Sequence, residues 1–234
     1  MHHTVELLET QPCGSDVLTC TFSKPDDYTF RAGQWFRLFL PTDQGQSAET
    51  FSHCAAPHDG VIQMTTRLSG SAFKAALAAL EPGATVEISA AGGRLAVPAD
   101  ARHACFIAGG VGITPVRSIL RDALETGRVF DDALLIYANR DETCAPFAEE
   151  FAGMERIGVR LVLCYEHPSE AWAGERGFIT AETMRRHVDP LDGRPFLIAG
   201  PPGMVLSIEN VLDELGVPEP ARIIEHFGAA PHKQ

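Results

Sequence analysis

From about residue 100 onward the chain repeats one unit, a short uninterrupted apolar run followed by an amphipathic stretch. The runs cover residues 104–108, 133–137, 159–164 and 196–199. A strand that is apolar on both of its alternating faces has to be buried on both sides, as parallel strands sandwiched between helices are. Between the runs, Val116, Ile119, Leu120, Ala123 and Leu124 recur at the spacing of one helical face. Val205, Ile208, Leu212 and Leu215 form a second such face, ended by Gly216. This alternation predicts an open, doubly wound α/β sheet.

The first hundred residues carry a different period. Phe36, Leu38 and Leu40 alternate with Arg37 and Phe39, as in a half-buried strand. Similar short runs occur over 17–22, 61–66 and 85–89, punctuated by Gly33, Pro41, Pro57, Gly60 and Pro82-Gly83. One helix is expected over 71–80, with Phe73, Leu77 and Leu80 on one face. Closely spaced short strands with a single helix predict an antiparallel β-barrel. The change of period near 98–102 divides the chain into a barrel domain, 1–98, and an α/β domain, 99–234.

Composition narrows the partners. A net charge of −12 argues against nucleic acid or an anionic membrane surface. No apolar run is long enough to span a bilayer, and the N-terminus lacks the basic stretch and apolar core of a secretory signal, so a cytoplasmic protein is expected. The cysteines at 13, 20, 54, 105, 144 and 164 form no C-x-x-C pair, so neither an iron–sulfur cluster nor any other metal site is expected. They read as small buried hydrophobes, Cys54 included.

Two turns carry the chemistry. The run 104–108 leads into Gly109-Gly110-Val111-Gly112-Ile113-Thr114-Pro115 and then a helix. Glycines there let the backbone approach a pyrophosphate, a helix N-terminus offers unpaired N–H groups, and Pro115 suits a first turn. A tight turn with no ligand would look the same. The run 196–199 leads likewise into Gly200-Pro201-Pro202-Gly203-Met204. Ligands of open α/β sheets sit beyond the carboxyl ends of the strands, so the two turns are expected to form two lips of one crevice.

In order along the chain stand Arg31-Ala32-Gly33-Gln34-Trp35-Phe36, Thr50-Phe51-Ser52, the two glycine turns, and Glu225-His226-Phe227. This succession resembles the ferredoxin–NADP reductase superfamily, above all bacterial flavin oxidoreductase domains. The resemblance implies a flavin, FAD rather than FMN, and NADH or NADPH as substrate. It places Phe51 against the flavin ring, Ser52 on flavin N5, and Arg67, Ser71 and Lys74 at the flavin phosphates, with Gly93 in another flavin-side loop. Gly109, Gly110, Gly112, Thr114 and Pro115 would take the dinucleotide, with Arg140 a candidate cation for it, and Gly200, Pro201 and Met204 would lie beside the nicotinamide. Glu225 and Phe227 match the C-terminal acid and aromatic next to the flavin, so Ser52, Glu225 and Phe227 are the candidate catalytic residues.

Three positions depart from the family pattern. Glu49 stands where an arginine usually pairs with flavin phosphate. Either it points at the phosphates, or it turns to solvent while Arg37, Arg67 or Lys74 replaces the missing cation. Ala199 replaces a common cysteine, and Tyr165-Glu166-His167 replaces the Ser-Arg pair of many NADP-dependent relatives, which favours NADH. The expected function is hydride uptake from NAD(P)H by the flavin and electron transfer to a separate protein such as a ferredoxin, flavodoxin or oxygenase component. A reductase of free flavin or ferric chelates, and a non-catalytic regulatory or assembly homologue, are the competing readings.

Overall fold

Alternation in the first half closes a barrel. A computed structural model, which describes residues 2–14, 16–189 and 191–228 apart from the side chain of Cys144, places six strands there: β1 (His2–Cys13), β2 (Val17–Ser23), β3 (Trp35–Thr42), β4 (Gly45–Ser52), β5 (Val61–Arg67) and, after helix α1 (Ala72–Ala78), β6 (Thr85–Ser89). They pair antiparallel in the order β4-β3-β6-β1-β2-β5. The two end strands meet where the Cys54 N–H, just past β4, donates to the Gln63 carbonyl of β5 at 2.8 Å. Leu7, Phe22, Phe36, Leu38, Ile62 and Met64 fill the interior. Helix α1 adds Phe73 and Leu77 to that core, and the Ser71 hydroxyl caps it by accepting from the Lys74 N–H at 3.2 Å. It is shorter than its pattern suggests: Leu80 lies half-buried past its end.

The second half contains β7 (His103–Gly109), α2 (Ile113–Thr126), β8 (Asp132–Asn139), α3 (Ala148–Ala152), β9 (Val159–Tyr165), β10 (Glu175–Arg176), α4 (Ala181–His187), β11 (Phe196–Gly200), α5 (Pro202–Glu214) and β12 (Arg222–His226). The strands form one parallel sheet in the order β10-β9-β8-β7-β11-β12. Its central strands are buried on both faces, as their unbroken apolar runs require. Phe106, Leu135 and Tyr137 face one core, while Cys105, Ile107 and Ile136 face the other. From β7 the chain winds outward through β8, β9 and β10, then returns to the other side of β7 with β11. The order therefore reverses between β7 and β11, which is where crevices open in such sheets.

The halves are joined by a polar seam along α2. Arg117 donates to the Cys54 carbonyl at 2.8 Å and to Gln63 at 2.7 Å, both in the barrel, and to Glu150 at 2.7 Å. Ser118 donates to the Ala55 carbonyl at 2.7 Å, and Arg121 pairs with Asp59 through bonds of 2.8 and 3.0 Å. Leu95, from the segment between the domains, packs into the α/β core. A Cβ on Gly33, whose φ is +85°, would lie 2.0 Å from the Leu95 carbonyl oxygen, so only glycine fits that approach.

Candidate active site

The barrel seam and the switch point of the sheet face each other, and each opens a chamber. The barrel-side chamber has a volume of about 700 Å³ and lies where β4 and β5 converge. As a terminal strand of its sheet, β4 lends both faces to it: Glu49 and Phe51 from one, Thr50 and Ser52 from the other. Thr65, Thr66 and Arg67 enter from β5, Lys74 from α1, Trp35 from β3, and Glu225 and Phe227 from the last strand and its exit.

The second chamber, about 450 Å³, lies at the carboxyl ends of the parallel strands. Gly109 ends β7 and Gly110 follows it, Asn139 ends β8 and Arg140 follows it, Glu166 follows β9, and Pro201 and Met204 follow β11. Arg67 lines both chambers, and Gly110 and Val111 stand on their two sides, so they adjoin across the glycine turn. The Tyr137 hydroxyl steadies that turn by donating to the Gly110 carbonyl at 3.2 Å.

The chamber walls meet in one bond between the domains. The Ser52 hydroxyl donates to Glu225 Oε1 at 2.6 Å across 173 residues of sequence. Burial pushes the Glu225 carboxyl above the usual carboxylate range, and the Ser52 hydrogen bond pulls it partly back. The Asn139 side chain is buried at the other chamber, and neither its oxygen nor its nitrogen makes a hydrogen bond of ordinary geometry. A buried amide at a cavity wall fits a polar ligand. Phe178 projects at the lip of the same chamber, 69% exposed, an aromatic face available for stacking.

Residues 106–210 match the family described as an oxidoreductase NAD-binding domain. The chain is 31% identical over 236 residues to ferredoxin–NADP reductase B of Sorangium cellulosum, an alignment covering 94% of this chain and 96% of that protein. The chain belongs to the ferredoxin–NADP reductase superfamily. It is an oxidoreductase. It is also 28% identical to the ferredoxin reductase component of the 3-ketosteroid-9-alpha-monooxygenase of Rhodococcus rhodochrous, over 87% of this chain but only 59% of that protein. Its fold matches the crystal structure of a ferredoxin NADP+ reductase from Neisseria gonorrhoeae with bound FAD and NADP, with a TM-score of 0.84, 22% identity and coverage of 96% and 98%.

Several positions singled out by superfamily resemblance line the chambers: Phe51, Ser52, Arg67, Lys74, Glu225 and Phe227 the first, and Gly109, Gly110, Arg140, Pro201 and Met204 the second, which Arg67 shares. Others lie behind the walls. Gly112 is buried, and a Cβ there would come 2.3 Å from the Ala199 carbonyl oxygen, so its smallness serves helix-to-strand packing. The Thr114 hydroxyl is turned back onto the Val111 carbonyl at 2.9 Å, and Pro115 is buried in the first turn of α2. Gly200 ends β11: its carbonyl accepts from the Phe227 N–H at 3.0 Å, and Met204 lies over it. Gly93 packs under Trp35, where a Cβ would meet the indole at 2.7 Å, and Ser71 caps α1.

Glu49 follows neither sequence expectation in full. It lines the barrel chamber instead of turning away, and its Oε2 lies 2.6 Å from Lys74 Nζ. Arg37 lies over the Phe39 ring, outside the chamber. Cys54 is fully buried, its thiol bonded to Gln63 at 3.4 Å and pushed up to about 11 by burial, as an inert packing thiol should be. Thr65, Thr66, Asn139 and Phe178 were not marked by any motif. A strand turning polar at its carboxyl end, as β5 does at Thr65-Thr66-Arg67, is the available signal.

Proposed function

We propose that this chain is an NADH-dependent flavoprotein reductase that holds FAD in the barrel-side chamber, takes NADH into the sheet-side chamber, and hands electrons to a separate protein such as a ferredoxin, flavodoxin or oxygenase component. The observation that carries the reading is the adjoining pair of chambers, with the Ser52–Glu225 bond at the wall of one and the glycine turn of β7 between them. The first chamber falls within the range of about 300–1,000 Å³ common for small-ligand sites. Its donor set fits a flat conjugated ring with an anionic tail: Phe51, Trp35 and Phe227 as apolar walls, the hydroxyls of Ser52, Thr65 and Thr66, and the cations Arg67 and Lys74. The second fits a dinucleotide through backbone at Gly109 and Gly110, the Asn139 amide and the Phe178 ring.

A bound flavin supplies hydride uptake from nicotinamide and release of electrons one at a time; binding, orientation and exclusion of water fall to the chain. Phe51 and Phe227 wall the ring site, Met204 and Pro201 close the chamber beside it, and the glycine turn lets the two ligands approach. Ser52 Oγ carries a hydrogen-bonding hydroxyl at the chamber wall, and Glu225 Oε1 holds it in one orientation. The raised pKa keeps a proton on Glu225 over a wider pH range than a solvated carboxyl would.

Glu166, at the end of β9 in the second chamber, supports NADH over NADPH. A carboxylate there accepts from a ribose hydroxyl and repels a 2′-phosphate. The decisive experiment is anaerobic mixing of the purified full chain with NADH. A flavin absorbance band that bleaches on mixing is the expected result, and a colourless protein that binds no added FAD would overturn the reading. Glu166→Gln is expected to narrow the ratio of kcat/KM for NADH over NADPH.

A further inference from the structure

The barrel-side chamber holds a charge arrangement that any phosphate-bearing ligand must disturb. Two cations reach its lining, Arg67 and Lys74. Arg67 sits on the wall shared with the other chamber, its side chain 42% exposed and its guanidinium joined to Asp16. Lys74 is placed differently. Its side chain is only 9% exposed, its ammonium lies 2.6 Å from Glu49 Oε2, and the same ammonium stands 4.2 Å from the centre of the Phe51 ring. Lysines are among the residues least often buried this deeply unless paired. Burial pulls Lys74 below the usual lysine range, and the Glu49 bond offsets part of that fall.

We propose that Lys74 is the cation that receives the flavin phosphate, and that Glu49 is a built-in competitor for it. The proposal rests on the flavin reading above and adds to it which group recognises the phosphate and how strongly. With Glu49 ionised the pair has no net charge, so an entering phosphate gains a hydrogen bond from Lys74 only by sharing it with, or taking it from, a carboxylate. Phosphate then adds little to flavin affinity, and the flavin is held mainly through its ring. Removing the carboxylate's charge frees a whole cation aimed into the chamber, and a charge-assisted hydrogen bond of that kind is worth about ten- to a hundredfold in affinity.

The test uses the full chain stripped of flavin, with riboflavin, FMN and FAD as probes and quenching of flavin fluorescence as the readout. Riboflavin has the ring but no phosphate. Glu49→Gln is expected to tighten FMN and FAD by about tenfold, a gain that shrinks with salt, while riboflavin affinity stays unchanged. Lys74→Met is expected to weaken FMN and FAD but not riboflavin, and the Glu49→Gln gain should vanish when Lys74 is already Met. A gain that persists in the Lys74→Met background would show Glu49 repelling phosphate directly and overturn the competition. Weakening by Arg67→Met with Lys74→Met silent would move the phosphate site to Arg67 and overturn it as well. Should Lys74→Met fail to fold, an unchanged FMN affinity in Glu49→Gln alone is sufficient to reject the proposal. Binding of all three flavins with one affinity in every variant rejects this inference while leaving the flavin reading standing; binding of none rejects both.

Discussion

At the scale of single residues, the Ser52–Glu225 bond and the glycine turn make separable claims. A carboxyl whose folded pKa lies above its unfolded one contributes fully to stability only below the ordinary carboxylate range, and loses that contribution as pH rises through the raised value. Glu225 is such a group, raised by burial. Glu225→Gln keeps an acceptor for Ser52 and removes the buried charge, so it should raise the thermal midpoint more at neutral pH than below about pH 4. Thermal melts across that range check this, and an equal shift at both ends would refute the role of the charge. Gly110 and Gly112, two positions apart, should respond in different currencies. A Cβ on Gly110 meets nothing within 4 Å, so Gly110→Ala costs chiefly its left-handed φ of +53° and puts a methyl group towards the dinucleotide chamber. It should raise KM for NADH with a modest loss of stability. Gly112→Ala drives a methyl into the Ala199 backbone and should lower stability by about 1–3 kcal/mol, the usual cost of overpacking, together with flavin content.

At the scale of elements, α2 is both the wall behind the glycine turn and the clamp on the barrel. Its N-terminal half begins at the glycine turn between the two chambers, and Arg117, one turn further, reaches the Cys54 carbonyl, two residues beyond Ser52. The seating of this helix therefore sets how the two chambers face each other. Arg117 is 9% exposed and its Nε lies 2.7 Å from Glu150, so removing it leaves a carboxylate and a backbone carbonyl short of a partner. Arg117→Met should cost about 3 kcal/mol, in line with other half-broken buried ion pairs. Glu150→Gln in the same background should cost less than it does alone, since the partner charge is already gone. Denaturant titration of the two single variants and the double variant measures that coupling, and strict additivity would exclude the clamp.

At the scale of the whole molecule, the two cores are tied by the α2 seam, by Leu95 and by the close contact at Gly33, so they should unfold as one unit. Scanning calorimetry of the wild type is expected to show a single transition, and Arg117→Met to broaden or split it; two resolved transitions in the wild type would contradict the coupling. Much of this organisation is legible in the sequence because it rests on local periodicity. Unbroken apolar runs specify strands buried on both faces, alternation at Phe36, Leu38 and Leu40 specifies a barrel wall, and glycine turns at the strand ends mark the crevice. The pattern is weaker for β4, whose residues are mostly polar and whose place at the end of a sheet demands little apolar surface. What local pattern does not contain is which side chains meet across the chambers. Ser52 and Glu225 lie 173 residues apart, Glu49 finds Lys74 only because α1 packs beside the end of β4, and Gly112 proves to be a packing contact because β11 returns beside β7. Periodicity is a property of neighbours along the chain, whereas a hydrogen bond, an ion pair or a backbone contact depends on the register and seating of elements far apart in it, and only the tertiary structure decided those.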